Sequence, residues 1–530
     1  MKTPTSPTEE ALYNGIELPS PWPPRREEWP NEPTPTPYYI VSPPKVIPID
    51  IGRQLFVDNF LIEETTLKRT YHAAEYESGN PVFTRGFPYS DGIWYDPQDK
   101  LFKMWYFGGA AQTRYAISQD GIKWELPSLD VVPGTNIVHP PPEARRDSNT
   151  VWLDLEEKDP QRRYKLFCYL KGPEHNICSV HFSPDGIHWS DIVARTGRCG
   201  DTSSVFWNPF RRVWVYSAKD PHVPPRQETY MVPTGNLKGR DQRIKRRMYW
   251  EVRDLVNDPY WTDESLLNWI GADKLDPMRP DLNIQTMLYR LDCVAYESLI
   301  LGLFTIWHGQ HDARPKINDL VANFSRDGFN WDRTNREPLV TVSEKFGDWN
   351  WANVSSVGGC CLIVGDKLRF YVNGRSGVKG TPEEGKISTG IATLRRDGFA
   401  SMDAGESEGT LTTSPVSFKG KYMYVNVDCP KGELRVEVLD ENGAVIQPFS
   451  RVNCVPVSAD KTIKAATWKG ADDLSSLSGK PVKFRFHLRN GKLYSFWISP
   501  DESGASHGYV AAGGPGFTGP TDNVRSAANG

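Results

Sequence analysis

The chain has 530 residues, a formal net charge of −4, 24% charged side chains and 12% aromatics. That length carries two or three domains, and a mixed-sign, near-neutral composition argues against a nucleic-acid partner. No run of about 18 apolar residues occurs, so no membrane partner is expected.

Residues 1–48 hold 13 prolines, including Pro19-Ser-Pro-Trp-Pro-Pro24, and should form an extended segment that wraps or hangs free. Its start, Met1-Lys-Thr-Pro-Thr-Ser-Pro7, has no apolar signal core, which reads as cytoplasmic, although a secreted chain trimmed of its signal would read identically. Residues 49–84 are a β-region, with Gln54-Leu-Phe-Val-Asp-Asn-Phe-Leu-Ile62 leading toward a repeated region.

From about 85 to 405 one template recurs. Its signature is Ser118-Gln-Asp-Gly-Ile-Lys-Trp124, Ser183-Pro-Asp-Gly-Ile-His-Trp189 and Ser325-Arg-Asp-Gly-Phe-Asn-Trp331, with a degraded copy at Leu394-Arg-Arg-Asp-Gly-Phe399. The first two copies start 65 residues apart and the next interval is 142, two periods of 71 with one copy missing. A long-period repeat means a repeat architecture. Each phrase follows a strand-like run such as Arg114-Tyr-Ala-Ile-Ser118, so Asp-Gly should turn the chain at the outer edge of a propeller blade. Upstream of each phrase stand an acid, a short apolar strand and a longer aromatic strand: Asp91 with 93–96 and 101–107, Asp147 with 150–154 and 163–170, Asp201 with 204–207 and 213–217, Asp292 with 301–307, and Asn353 with 368–372. Five copies of a four-stranded unit predict an all-β fold, a five-bladed β-propeller. Two long insertions, 220–246 and 256–290, could roof its mouth, the second with a short helix over Asp263–Ile270; the basic run Arg243–Arg247 reads as a solvated loop and strand edge.

After Gly405 alternating strands separated by Asn442-Gly443 and Asn490-Gly491 predict a C-terminal β-sandwich over 406–512, with a loose tail, 513–530, beyond it. The eight cysteines lie mostly in apolar strands without C-x-x-C spacing and read as buried free thiols.

Residues that begin the innermost strands of different blades converge at one end of the central channel. The template puts an acid there in four blades, Asp91, Asp147, Asp201 and Asp292, with Glu297 further along the fourth inner strand. Like charges crowded together raise at least one pKa, giving a protonated acid beside an ionised base, which is the equipment for cleaving a glycosidic bond. The competing reading is that each aspartate caps a strand or closes an Asx turn. Sugars also need flat apolar faces and forked donors, for which the candidates are Trp94, Trp349, Trp351, Asn149, Asp292, Asn353, Arg375 and His72.

The five blades, the acids at inner-strand starts and the trailing sandwich resemble the five-bladed propeller glycoside hydrolases of families 32, 43, 62, 68 and 130. Phe56-Val-Asp-Asn-Phe-Leu-Ile62, Trp94-Tyr-Asp-Pro97 and Lys103-Met-Trp105 are similar to bacterial family-32-like hydrolases. The resemblance implies that Asp91 is nucleophile or base and Asp147 the residue that tunes it. The acid of the third blade is glutamate in families 32 and 43 and is Asp201 here; Glu297 is the other candidate, and the choice stays open. The family-32 pattern Trp-Met-Asn-Asp-Pro-Asn is absent, so an invertase-like substrate is not implied.

The resulting expectation is a glycoside hydrolase acting on an oligo- or polysaccharide through catalytic Asp91, Asp147, Asp201 and Glu297. No cofactor or metal is required; a single calcium in the channel would be structural. The alternatives are a polysaccharide lyase on a uronate-containing glycan, which Arg375 and His72 would serve, and a non-catalytic carbohydrate-binding propeller.

Overall fold

The computed structural model describes residues 10–26, 32–108, 112–139, 149–171, 176–220, 245–282, 284–311, 314–377, 381–382 and 386–523. The fold is all-β, and the only α-helix among these residues is Tyr38–Val41. None of their helices is long and apolar enough to cross a membrane.

Five antiparallel sheets succeed one another along the chain. Blade one contains Ile93–Asp96, Leu101–Phe107, Thr113–Ser118 and Ile137–His139. Blade two contains Thr150–Leu153, Tyr164–Lys171, Asn176–Ser183 and Ala194–Arg198. In blade three, Ser204–Asn208, Val213–Lys219 and Arg246–Val252 are completed by Leu267–Gly271. The segment expected as a helix is therefore a turn and an outer strand. Trp269 decides this: its ring packs on Tyr249 and Trp331 and its indole donates to the Phe329 carbonyl at 2.8 Å, contacts that outweigh local helix preference.

Blade four is built on Met287–Glu297, Leu299–His311 and Arg314–Ser325, and blade five on Ala352–Ser355, Lys367–Arg375 and Ile387–Arg395. The fourth strand of blade five comes from far upstream: Glu75–Tyr76 pairs with Ala392 and Thr393.

The repeated phrase is a hydrogen-bonded turn after the third strand. In each full copy the serine hydroxyl accepts from the glycine amide at 2.9 Å, while the aspartate Oδ1 accepts from the two following amides at 2.7–2.9 Å. Gly121, Gly186 and Gly328 have φ of +69°, +81° and +82°, where a side chain is strained. The turns also bind neighbouring blades: the Trp105 indole donates to the Gly186 carbonyl at 2.7 Å and the Tyr371 hydroxyl to the Gly121 carbonyl at 2.6 Å.

The second body is a pair of facing sheets. One runs in the order Asp460–Ala466, Tyr422–Asp428, Gly491–Ser499, Ala400–Ala404, Lys68–Tyr71; the other runs Glu433–Leu439, Lys483–Arg489, Gly409–Thr413, Ile62–Thr65. Phe56, Phe484, Phe486 and Phe496 fill the space between them. The upstream β-region thus supplies strands to both bodies. The proline-rich segment wraps rather than hangs: Tyr13 stacks on Phe210, the Tyr39 hydroxyl donates to the Asn330 carbonyl, and Ile47–Pro48 pairs in parallel with Val416–Ser417.

Two features set the ends of the channel. At the end where inner strands start, hydrogen bonds pass from blade to blade. The Asn149 amide donates to Asp91, the Val205 amide to the Thr150 hydroxyl, the Ser204 hydroxyl to the Leu291 carbonyl, and the Ser356 hydroxyl to Asp292. The Ile93 amide closes the ring onto the Gly358 carbonyl at 3.1 Å. At the other end, residues expected as sandwich edge and tail form a plug. Tyr509–Val510 pairs with Tyr296 and Glu297, the Ala512 amide donates to the Cys361 carbonyl, and the Tyr95 and Ile363 amides donate to the Ala512 and Gly513 carbonyls.

Beneath the plug, buried charges join the two bodies. Arg53 and Glu297 are both 0% exposed; Arg53 pairs with Asp397 at 2.9 Å, and Arg396 bridges Glu297 and Asp522 at 3.0 Å each. Asp397 is the aspartate of the degraded phrase. Burial pushes its pKa up, but Arg53, Arg396 and hydrogen bonds from Tyr296 and Ser495 outweigh that and hold it at about 2. The folded value lies below the unfolded one of about 3.9, so this stabilisation is complete above the unfolded value and is lost as pH falls toward 2. Arg53→Met, which strands two buried carboxylates, should cost about 3–5 kcal/mol in urea unfolding at pH 7. A loss below about 1 kcal/mol would show that the joint does not depend on the pair.

Candidate functional site

The inner-strand starts of blades one to three carry Asp91, Asn149 and Asp201, and Asp292 comes from the middle of blade four's longer inner strand, Met287–Glu297. Asp91 lies in the turn Tyr89–Asp91 just before its strand, where Oδ2 accepts the Asn149 amide at 3.3 Å. The Asn149 side chain is held in turn by the Thr113 hydroxyl and the Tyr169 amide, both at 3.2 Å. Asp292, buried in the fourth inner strand, accepts a hydrogen bond from Ser356 of blade five. Asp201 remains 41% exposed at its side chain and is ion-paired to Lys219 across the strand start.

Cations thread between these carboxylates. Arg247, with no exposure, reaches from the third strand of blade three to the Thr202 carbonyl at 3.0 Å and to the Tyr289 carbonyl. Arg290, 1% exposed, lays its guanidinium over the Tyr89 ring at 4.6 Å. Lys316 donates to the Tyr289 hydroxyl at 2.7 Å. Burial would raise the Asp201 pKa, but Lys219 and then Lys316 and Arg247 lower it below the usual aspartate value. Burial and the nearby charge of Arg290 push Arg247 down to about 10. Asp201 is therefore an ionised group at neutral pH and a poor proton donor.

Of the other expected residues, Glu297, Trp94 and His72 stand away from these inner-strand starts. Glu297 ends the eleven-residue inner strand of blade four and belongs to the buried joint beneath the plug, tied to Arg53, Arg396 and Ser506. Trp94 donates to the Val151 carbonyl at 2.9 Å and packs on Trp152 between blades one and two. With Trp152, Trp207 and Val510 it lines a pocket at the plugged end. His72 sits on the sandwich side, bonded to the Ser401 hydroxyl at 2.8 Å, with burial lowering its pKa. Trp349 packs edge-on to Tyr76 and over Gly390, where a Cβ would come within 2.4 Å of the indole. Trp351 is buried between Phe346 and Arg314. Asn353 is buried in its strand with φ +59°, and Arg375 faces the Phe87 ring at 6.0 Å. Asp147 and insertion residues 221–244 lie outside the described residues.

Sequence reasoning passed over Arg247, taken for part of a solvated edge, and Arg290. For Arg290 the available signal was position, a lone cation within an inner strand between Leu288 and Leu291, whereas Arg247 ends a basic run and carried no such signal.

No family model matches the chain, and no curated protein matches it in sequence. Solved structures similar to it include an N-acetylgalactosamine deacetylase from F. plautii in complex with blood group B trisaccharide, at 13% identity over 64% of this chain and 96% of that one, TM-score 0.37. An exo-β-1,3-galactanase from Phanerochaete chrysosporium has 9% identity over 81% and 99%, TM-score 0.35. A fructofuranosidase from Schwanniomyces occidentalis has 11% identity over 81% and 96%, TM-score 0.33. Likeness this distant does not transfer chemistry, which rests on the site itself.

If Lys219 sets the charge state of Asp201, Lys219→Met should move the Asp201 carboxyl titration upward, monitored through its ¹³C chemical shift. An unmoved titration would mean that Lys219 is not the cation that matters.

Proposed function

We propose that the chain is a glycoside hydrolase whose carboxylates act at the open end of the propeller channel. The observation that carries this reading is the convergence of Asp91, Asp201 and Asp292 from three different blades, at the end opposite the plug. Asp91 is assigned as the nucleophile or water base. Its hydrogen bond from the Asn149 amide fixes the carboxylate in place. Asp201, paired with Lys219, supplies fixed negative charge beside a developing oxocarbenium ion. Asp292, which accepts a hydroxyl hydrogen bond from Ser356, is the carboxyl among the described residues that we assign to protonate a leaving oxygen. Glu297, locked between two arginines at the far end, is set aside as the acid.

Asn149 and Arg375 are assigned to sugar hydroxyls, with the Phe87 and Tyr89 rings, 4.9 Å apart, as apolar faces beside them. The lyase alternative loses His72, which is engaged with Ser401 beside the sandwich.

Asp91→Asn should lower kcat by at least about 100-fold while leaving KM and the unfolding midpoint little changed. The measurement is sugar released from a panel of aryl glycosides and furanosidic and pyranosidic oligosaccharides. No release from any of them by wild type, with glycan binding retained, would replace the hydrolase by a carbohydrate-binding propeller.

A further inference from the structure

Arg290 is a buried cation without a counter-charge. Its guanidinium makes no ion pair or hydrogen bond to the described residues, and both Nε and Nη1 are buried without an acceptor. Among the described residues it is Tyr89 that orients it, its ring lying over the flat face of the guanidinium. Arg247 lies close enough for the two charges to repel, and its own Nε also lacks an acceptor. Of the nearby carboxylates, Asp201 is ion-paired with Lys219, and Asp292 accepts from the Ser356 hydroxyl without an ion pair among the described residues.

A protein seldom buries an unpaired guanidinium, because desolvating the charge is costly unless an opposite charge meets it. Elsewhere in this chain that rule is obeyed: Arg53, Arg326, Arg333 and Arg396 are equally buried, and each pairs with a carboxylate. The mouth departs from the pattern at the place where substrate would sit. A sugar hydroxyl would satisfy one N–H and leave the charge uncompensated. A carboxylate answers both, with two acceptor oxygens and a full negative charge.

We propose that Arg290, backed by Arg247 and oriented by Tyr89, is an anion subsite that reads the carboxylate of an acidic sugar, so that the substrate is a uronate-containing glycan. This rests on the glycosidase reading for its substrate class, but not for the existence of the subsite. Tyr89 and Arg290 then act as specificity residues, while Asp91 does the chemistry.

The test is calorimetric binding of galacturonate and glucuronate trisaccharides and of their carboxyl-reduced, neutral counterparts to the full chain, with hydrolysis measured in parallel as new reducing ends. Wild type should bind at least one acid form 10-fold or more tighter than its neutral partner. Arg290→Met should erase that preference while keeping neutral-sugar affinity, and Arg290→Lys, which keeps charge but loses the fork, should retain part of it. Should Arg290→Met not fold, the wild-type comparison and the lysine variant decide. Equal affinity for acid and neutral forms, binding of neither, or a preference that survives in Arg290→Met overturns the subsite. The two readings fail separately. Neutral glycans cleaved without acid preference would leave the hydrolase standing and remove the subsite. Acid-selective binding with no bond cleavage would do the reverse.

Discussion

Everything at the open end of the channel depends on hydrogen bonds that pass from one inner strand to the next. Asp91 to Asn149, Thr150 to Val205, Ser204 to Leu291, Asp292 to Ser356 and Gly358 to Ile93 form a closed circuit. In that circuit two of the candidate carboxylates are also structural acceptors. Their positions are therefore held by the ring itself rather than by flexible loops, which is the rigidity that a reacting pair requires. It also means that the competing reading of these aspartates, as groups that tie strand starts together, and the functional one are not exclusive.

The two ends of the channel treat buried charge in opposite ways. At the plugged end Arg53 and Arg396 are ion-paired with Glu297, Asp397 and Asp522, with contacts to Asp397, Glu297 and Asp522 at 2.9–3.0 Å, and Tyr296, Ser495 and Ser506 donate hydrogen bonds to the carboxylates. Such a cluster joins the sandwich to the propeller, and each arginine in it meets a carboxylate. At the open end the basic groups are not fully answered, Arg290 above all. Burial does not distinguish the two ends; an arginine that meets a carboxylate, as Arg53 and Arg396 do and Arg290 does not among the described residues, does.

The blades were legible in the sequence because their signature is local. Serine, aspartate and glycine of the repeated phrase hydrogen-bond within four residues of one another, so the turn is written in consecutive letters. The acids at strand starts were legible for a related reason, since the template gives each a fixed place. Glu297 was not, because its strand continues: five residues beyond Asp292 correspond to about 16 Å, enough to carry it from one end of the channel to the other. Arg290 was missed because a lone arginine in a strand looks the same whether it faces water or is covered by another blade, and Arg247 because it ends a basic run that reads as solvated. Trp349 looked available because Gly390, the platform it rests on, lies on a strand well downstream. These facts belong to tertiary packing and have no local trace.

The strand that completes blade five has a kinetic consequence. Tyr76 pairs with Ala392, so the last sheet stays unfinished until more than three hundred further residues have been made. At about 5–20 residues per second that interval is roughly 15 to 60 s, during which Glu75–Tyr76 has no partner and the strand Ile387–Arg395 does not yet exist. The plug is later still, since Tyr509–Val510 docks on strands of blade four after the sandwich has been synthesised. Nascent chains thus pass through a long-lived open ring with exposed strand edges, the state in which such a molecule is most vulnerable to pairing with its neighbours and most dependent on a chaperone.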